Sequence, residues 1–408
     1  MFNKEVILEQ SKLYDSFYLY DEGVILEYTG RLKRDFKNVK FLYSIKTNSN
    51  PFVVKSVLSE GFGVDAASAA EVMMGKENGV SKDKIQFSAP GKTKKDIEET
   101  IELSTIIADS LNEIMLINQV AQNMNVIAEI GIRVNPNFSF YTESGNASKF
   151  GIDEELLFKE MPNIIKLQYI KIIGLHVHIR SQELDARVLE RYYSELLKLT
   201  EAFQEVINQP IEFLNMGSGI GVPYTIEDTP LDTVSLGEVT SSMIDVFRLR
   251  FPNLKVYIET GRYVTLKCGV YVTKVVDKKI SYGKTYIILK NTLNGFIRPS
   301  IAQMVMSYQE SGILASSEPL FTGANALEII ALTAEIETEE VTLVGNLCTS
   351  TDVVAKDILL PKLQCGDVIV LTNAGSYAAV LSPIQFSSQE PPKQLFLSGQ
   401  GKISMIND

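Results

Sequence analysis

The sequence predicts an α/β chain: a (β/α)8 TIM barrel joined to a second, all-β domain of sandwich or barrel-like build. Three observations carry that expectation. Eight short apolar runs recur between residues 41 and 259, separated by stretches with apolar residues at helical spacing. A charged, polar or glycine residue stands at or just past the C-terminal end of every run. Beyond residue 263 the texture changes to short strands divided by Gly, Asn and Asp.

Taken in order, FLYSI (41–45) leads into Lys46, GFGVDA (61–66) holds Asp65, and KIQFSA (84–89) holds Ser88. STIIAD (104–109) ends on Asp109, VIAEIGIRV (126–134) carries Arg133, and IIGLHVHI (172–179) carries His178. EFLNMG (212–217) ends on Gly217 and KVYIE (255–259) on Glu259. Segments such as KTKKDIEETIEL and LNEIMLINQVAQNM supply the intervening helices. In a closed barrel all eight strand ends share one face, where barrel enzymes place their chemistry, whereas the competing open, doubly wound sheet would spread them along a line. After the barrel come YVTKVV, KTYIIL, VTLVGN and DVIVLT, with no long helix expected among them. The barrel is expected over residues 22–263, with 1–21 and 264–408 forming the β domain and FYLY near the start giving it a strand.

The 408 residues are 45% hydrophobic and 22% charged, enough apolar material for a sizeable core. With 39 basic against 50 acidic side chains the net charge is −11, which argues against a nucleic-acid partner, because that affinity rests on neutralising phosphates. Three scattered cysteines, Cys268, Cys348 and Cys365, fit neither a disulfide framework nor a zinc site, and point to a cytoplasmic location. No apolar stretch reaches membrane-spanning length and the amino terminus lacks a signal-peptide core, so neither membrane insertion nor secretion is expected. Only two histidines exist, His176 and His178, which leaves no distributed ligands for a metal.

Several residues admit both a chemical and a structural reading. Lys46 at a strand mouth is either a solvated lysine or an amine that desolvation strips of its proton to make a nucleophile. NMGSGIGVP, with Gly217, Gly219 and Gly221 at alternate positions, is either a tight turn or a loop whose backbone N–H groups approach an anion. Glu259 and Arg262 in IETGRYV form either a rim ion pair or part of a phosphate site, since barrel phosphates sit on the loops after the seventh and eighth strands. His176 and His178 point the same way along their strand, the first deeper and the second nearer the mouth and Ser181. In the β domain, Cys348 in GNLCTSTD and Tyr377 in NAGSYAAVLSP do not look catalytic by themselves.

Together, YSIKTNSNP, VDAASAAE, SAPGKT, RVNPN with SKFGID, HVHIRSQ, NMGSGIG, ETGR, FIRPS, CTSTD and AGSY follow one another over nearly the whole chain. In that order they resemble the alanine-racemase-fold decarboxylases that use pyridoxal 5′-phosphate, the family of ornithine, arginine and diaminopimelate decarboxylases. The resemblance implies that Lys46 links covalently to the cofactor and that His178 stacks on its ring. It implies that Glu259 faces the pyridine nitrogen, and that Asp65 and Gly217 lie with the cofactor. Ser181, Gly219, Gly261, Arg262 and Tyr377 match the phosphate cradle. It further implies a homodimer with shared active sites, in which Cys348 enters from the neighbouring subunit as a catalytic acid with Asp352 beside it. An anionic partner such as Glu259 keeps the pyridine ring protonated, which suits decarboxylation; a neutral or cationic one would favour racemisation.

The departures bear on the substrate. The usual three glycines read Gly217–Ser218–Gly219, and the family's HIGSQ reads HIRSQ, so Arg180 adds charge near the mouth. Diaminopimelate and ornithine enzymes carry Glu or Asp directly after the cysteine to meet a distal amine, where this chain has neutral Thr349. FIRPS retains Arg298, where diaminopimelate enzymes bind a distal carboxylate. The combination of Arg298, Arg180, Thr349 and Asp352 implies a substrate whose far end is acidic or conjugated, carrier-bound or citryl-like, with a carrier protein as possible partner. A lysine-pathway diaminopimelate decarboxylase is the alternative, and a non-catalytic, regulatory relative the alternative of another class.

Overall fold

The computed structural model describes residues 3–207, 209–308 and 326–406. Its first sheet is a ring of eight parallel strands: β1 Lys40–Ser44, β2 Gly63–Ala66, β3 Ile85–Phe87, β4 Thr105–Ala108, β5 Ala128–Asn135, β6 Ile170–His176, β7 Phe213–Asn215 and β8 Lys255–Thr260. Each pairs with the next, and β8 closes on β1 through Tyr257 opposite Lys40 and Glu259 opposite Leu42. The eight apolar runs of the sequence are these eight strands, and the closed barrel is the fold.

The strand alternation that puts every second side chain inside explains how the barrel changes from floor to site. Leu42, Ile107, Ile173, Phe213 and Tyr257 form a small apolar cluster of their own within the barrel sheet. Phe213 fits because its neighbours are glycines: a Cβ on Gly174 would lie 2.2 Å from its ring and one on Gly131 2.8 Å away. Two residues further along the same strands, the inward positions become Ser44, Asp65, Asn215, Glu259, His176 and Arg133, all buried. One step of the pleat therefore carries the interior from a packed apolar plug to a polar layer at the C-terminal ends.

Helices cover the outside, the longest being the amphipathic Ala186–Ile207, which buries Leu189, Tyr192, Tyr193, Leu196 and Phe203 against the barrel. The helix Lys94–Thr100 is started by a reciprocal capping box between Thr93 and Asp96.

The second sheet has nine strands among the described residues. FYLY lies in its strand Ser16–Asp21, antiparallel to Gly269–Ser281 and parallel to Lys393–Leu397. Against the expectation of no long helix here, Ile297–Tyr308 is a 12-residue helix. Pro299 falls in its first turn, where a missing N–H costs nothing, so the proline that reads as a breaker is a helix-start residue. No helix among the described residues is long and apolar enough to cross a membrane.

Candidate active site

At the C-terminal face of the barrel lies a cavity of about 730 Å³. It brings together Lys46, His178, Ser181, Glu259, Gly261, Arg262 and, from the β domain, Tyr377.

Lys46 sits in the short 3-10 turn Ile45–Thr47 that ends β1. Its Nζ is 2.9 Å from Asp65 Oδ2, and the side chain keeps 41% of its surface open, so the amine is accessible to whatever enters the cavity. Asp65 is fully buried and also accepts from the hydroxyls of Ser44 and Ser88. It stands behind Lys46 and orients the amine. Burial alone would strip the proton from Lys46, but the Asp65 carboxylate in contact, with Tyr377 and Glu259 nearby, outweighs it and holds the ammonium above its ordinary value. The expectation that desolvation frees the amine is thereby corrected: Asp65 keeps it charged.

Glu259 is almost fully buried on β8. Burial would favour its neutral form, yet the contact with His176 and the nearby His178 and Lys46 prevail, leaving the carboxyl well below the usual carboxylate range. His176 Nε2 lies 2.9 Å from Glu259 Oε1, and Asn215 Nδ2 donates to the same oxygen at 3.0 Å.

His178 follows β6, and its Nδ1 accepts the backbone N–H of Ser218 at 2.9 Å, which leaves a proton only on Nε2. Burial pushes its pKa down to about 4; Glu259 opposes this, while Arg133 and Lys46 reinforce it. The imidazole is therefore neutral at physiological pH, and a neutral ring can lie flat on an aromatic cofactor with no cation to desolvate. The Ser218 contact needs Gly217, whose φ is +68°: a Cβ there would sit 2.3 Å from Val177 O and 2.8 Å from the His178 Cα.

Arg262 follows β8 after Gly261, where a Cβ would meet Thr47 at 2.3 Å. Its Nη1 donates to the Tyr224 hydroxyl at 2.5 Å, and its guanidinium lies 4.9 Å from the Tyr377 ring centroid. Tyr377 adopts a left-handed backbone (φ +49°) and donates its N–H to Thr47 O at 2.9 Å; Asn48 Nδ2 reaches Gly375 O at 2.9 Å. Those two bonds moor the AGSY loop onto the turn that carries Lys46.

Other residues expected at the site lie elsewhere. Gly217 and Gly219 shape the loop without lining the cavity, and Ser218 and Ile220 are its lining members. Arg180 is exposed, with its guanidinium 5.3 Å from the Tyr141 ring centroid, outside the cavity lining. Arg298 is buried, bonded to Asn373 O and packed on Phe296, and lines a separate cavity of about 370 Å³. Cys348 is exposed and Thr349 half-buried on a β-domain loop; the Cys348 Sγ is 3.8 Å from Ser387 Oγ. Asp352, expected beside the substrate, is buried, and its carboxylate accepts from Thr292 Oγ1, Leu293 N and Leu347 N. With three donors on it, Asp352 anchors the cysteine loop, which corrects the expectation that it faces substrate.

Arg133 was not singled out as a site residue, yet it lines the cavity, pairs with Asp109 at 3.4 Å and donates to His178 O at 3.3 Å. Its place at a strand end was the available signal. Asn215 was missed outright, being hidden inside a motif read for its glycines.

An accessible lysine held by a carboxylate, a neutral imidazole and a buried glutamate at the mouth of a parallel barrel suit an aromatic aldehyde cofactor with an anionic tail. Pyridoxal 5′-phosphate fits the donor set: the amine suits the aldehyde, Glu259 the pyridine nitrogen, and the 217–221 loop with Arg262 the phosphate. Residues 22–266 match the family model for the pyridoxal-binding domain of pyridoxal-dependent decarboxylases. The chain is 30% identical to the L-glutamyl-[BtrI acyl-carrier protein] decarboxylase of Niallia circulans, over 96% of this chain and 90% of that protein. It is 28% identical to the diaminopimelate decarboxylase of Helicobacter pylori strain J99, over 98% and 93%. The crystal structure of Helicobacter pylori diaminopimelate decarboxylase complexed with L-lysine superposes with a TM-score of 0.82 at 25% identity, covering 100% of this chain and 96% of that one. The chain thus belongs to the pyridoxal-dependent decarboxylases. It is an amino-acid decarboxylase that uses pyridoxal phosphate.

Proposed function

We propose that the chain removes the α-carboxylate of an amino acid whose far end is acidic or conjugated, as in a carrier-bound or citryl-like substrate. The observation that carries this reading is Thr349, a neutral residue at the position after Cys348, with its hydroxyl 2.9 Å from that of Thr351. No carboxylate stands there to meet a distal ammonium. Arg180, exposed near the mouth, supplies positive charge for a distal acid. A relative that by its name acts on a glutamyl group attached to an acyl-carrier protein supports the conjugated form, and a carrier protein as partner. A second reading, decarboxylation of diaminopimelate, is supported by the relatives of that name and by the retained Arg298.

Bound pyridoxal phosphate supplies the electron sink that accepts the pair released as CO₂ leaves. In this reading Lys46 would hold the cofactor through its amine. His178 backs the ring, while Ser181, Gly219, Gly261, Arg262 and Tyr377 hold the phosphate. Glu259, kept ionised by the contact with His176 and the nearby His178 and Lys46, would hold a proton on the ring nitrogen. Cys348, entering from a second copy of the chain, returns a proton to the α-carbon. The three free cysteines accord with a reducing, cytoplasmic setting.

Measuring kcat/KM by CO₂ release for free glutamate, a carrier-linked glutamyl group, diaminopimelate and ornithine tests the substrate. The acidic or conjugated substrates are expected to lead by about tenfold or more, the scale of one charge-assisted contact. A comparable preference for ornithine would overturn the proposal, and one for diaminopimelate would establish the second reading.

A further inference from the structure

We propose that Asn215 is a positioning residue that ties Glu259 and the glycine loop into one unit, fixing the distance between the ring-nitrogen and phosphate ends of the cofactor site. Asn215 is fully buried at the end of β7. Its Nδ2 donates to Gln86 Oε1 at 2.7 Å and to Glu259 Oε1 at 3.0 Å, while its Oδ1 accepts the Gly217 N–H at 2.8 Å. The amide thus has anchors on β3, on β8 and on the loop after its own strand, with both Nδ2 hydrogens and Oδ1 in use.

The carboxylate geometry gives the arrangement its purpose. Asn215 donates to Oε1 of Glu259, the oxygen that also lies 2.9 Å from His176 Nε2, and Glu259 lines the cavity. The same amide sets where Gly217 begins, and Gly217 in turn sets the Ser218 N–H against His178. A shift at Asn215 would therefore move both ends of the site together. Serine or alanine could not span three anchors, and leucine, of similar size, could make none of the bonds. The depressed pKa of Glu259 accords with a carboxylate held by donors.

The inference rests on reading Glu259 as the partner of the ring nitrogen and the glycine loop as the phosphate cradle. Its test compares wild type, N215L, E259Q and N215L/E259Q by two measurements. One is the affinity of the cofactor-free protein for inorganic phosphate. The other is the ¹⁵N shift of ring-labelled pyridoxal phosphate bound to the protein, followed against pH. N215L is expected to weaken phosphate about fivefold or more, because the Gly217 N–H loses its acceptor. It should also move the ring-nitrogen titration about one unit to lower pH, because a less firmly held carboxylate stabilises the protonated ring less. E259Q should move the nitrogen titration while keeping phosphate affinity, and the double variant should move it no further than E259Q alone. A folded N215L with wild-type behaviour in either measurement, or additive nitrogen shifts, would overturn the inference. If N215L does not fold, N215S is held to the same outcomes. If E259Q leaves the nitrogen titration unmoved, it is the reading of Glu259 that fails and not the link through Asn215.

Discussion

Glu259, Asn215, His176 and Asp65 at the end of the barrel are buried and held by partners from their own chain. Cys348, exposed, and Thr349, half-buried, lie on a β-domain loop and line no part of the Lys46 cavity. Yet the loop is not loosely built: Asp352 gathers Thr292, Leu293 and Leu347 beneath it, and a Cβ on neighbouring Gly345 would meet Asp352 at 2.0 Å. Its base is as firmly satisfied as the barrel layer, and only its chemically distinctive face points away from its own chain. A buried carboxylate used to present an exposed thiol is a costly arrangement unless that thiol has somewhere to go. The difference teaches that the residues proposed to hold the cofactor are gathered within one chain, whereas Cys348 and Thr349 lie apart from them, so that the roles proposed for those two require a second copy of the chain.

The sharpest way to break that comparison is to separate the two halves on different chains. Lys46→Ala is expected to abolish the cofactor's visible band and to lower activity by about a thousandfold or more, since the covalent anchor is lost. Cys348→Ala should keep the band and lose most of the turnover. Co-refolding the two dead variants in equal amounts should restore activity to about a quarter of wild type, because half of randomly paired dimers carry one intact site of two. A mixture as inactive as its parents would mean that Cys348 serves its own chain or none.

How much of this was legible in the sequence follows the same division. The barrel was readable because strand periodicity and the residue at each strand end are local properties: Lys46, Asp65, Arg133, His178 and Glu259 all fall where the alternation puts them. What periodicity cannot give is which polar atom meets which. Asp65 therefore reads as a cofactor contact when it holds Lys46, and Asn215 is overlooked although it bonds across three elements. In the β domain, CTSTD is plain as a motif, but nothing in its spacing separates the outward Thr349 from the inward Asp352. That assignment depends on Thr292 and Leu293, about sixty residues earlier, folding beneath the loop. The helix Ile297–Tyr308 was missed because a proline in a first turn and a proline in a break look alike.

A second measurement sharpens the contrast through pH. His178 has a folded-state pKa of about 4 against roughly 6.5 for a free imidazole. Between those values the unfolded chain binds a proton that the folded chain refuses, so stability is full above about pH 6.5 and falls as the pH drops towards 4. The loss amounts to about 3 kcal/mol at most. In urea melts of the cofactor-free protein between pH 7 and 4, that contribution is read as the difference in slope between wild type and His178→Gln, which should lose less stability on acidification. Cys348→Ser, on the exposed loop, should leave it unchanged. Equal slopes for wild type and His178→Gln would show that the imidazole is not held neutral by its burial.

The smallest expected effect concerns the displayed face of the loop and decides what it is displayed for. A charge-assisted hydrogen bond from a carboxylate to a substrate ammonium contributes roughly 1.5 to 3 kcal/mol, about ten- to a hundredfold in kcat/KM. Thr349 cannot make that bond, and it is half-buried on its loop with its hydroxyl 2.9 Å from that of Thr351, so a longer, charged side chain gives up that loop contact and no core packing. Thr349→Glu should therefore leave the melting temperature and the cofactor band in place. It should raise kcat/KM for diaminopimelate by about tenfold or more and lower it for an acidic or carrier-linked substrate through like-charge repulsion. Because the exchange touches nothing on the barrel side, opposite changes for the two substrates would assign specificity to the loop of the second chain. If both substrates instead respond in the same direction, the distal group is read elsewhere, and Arg180 at the barrel mouth becomes the residue to exchange next.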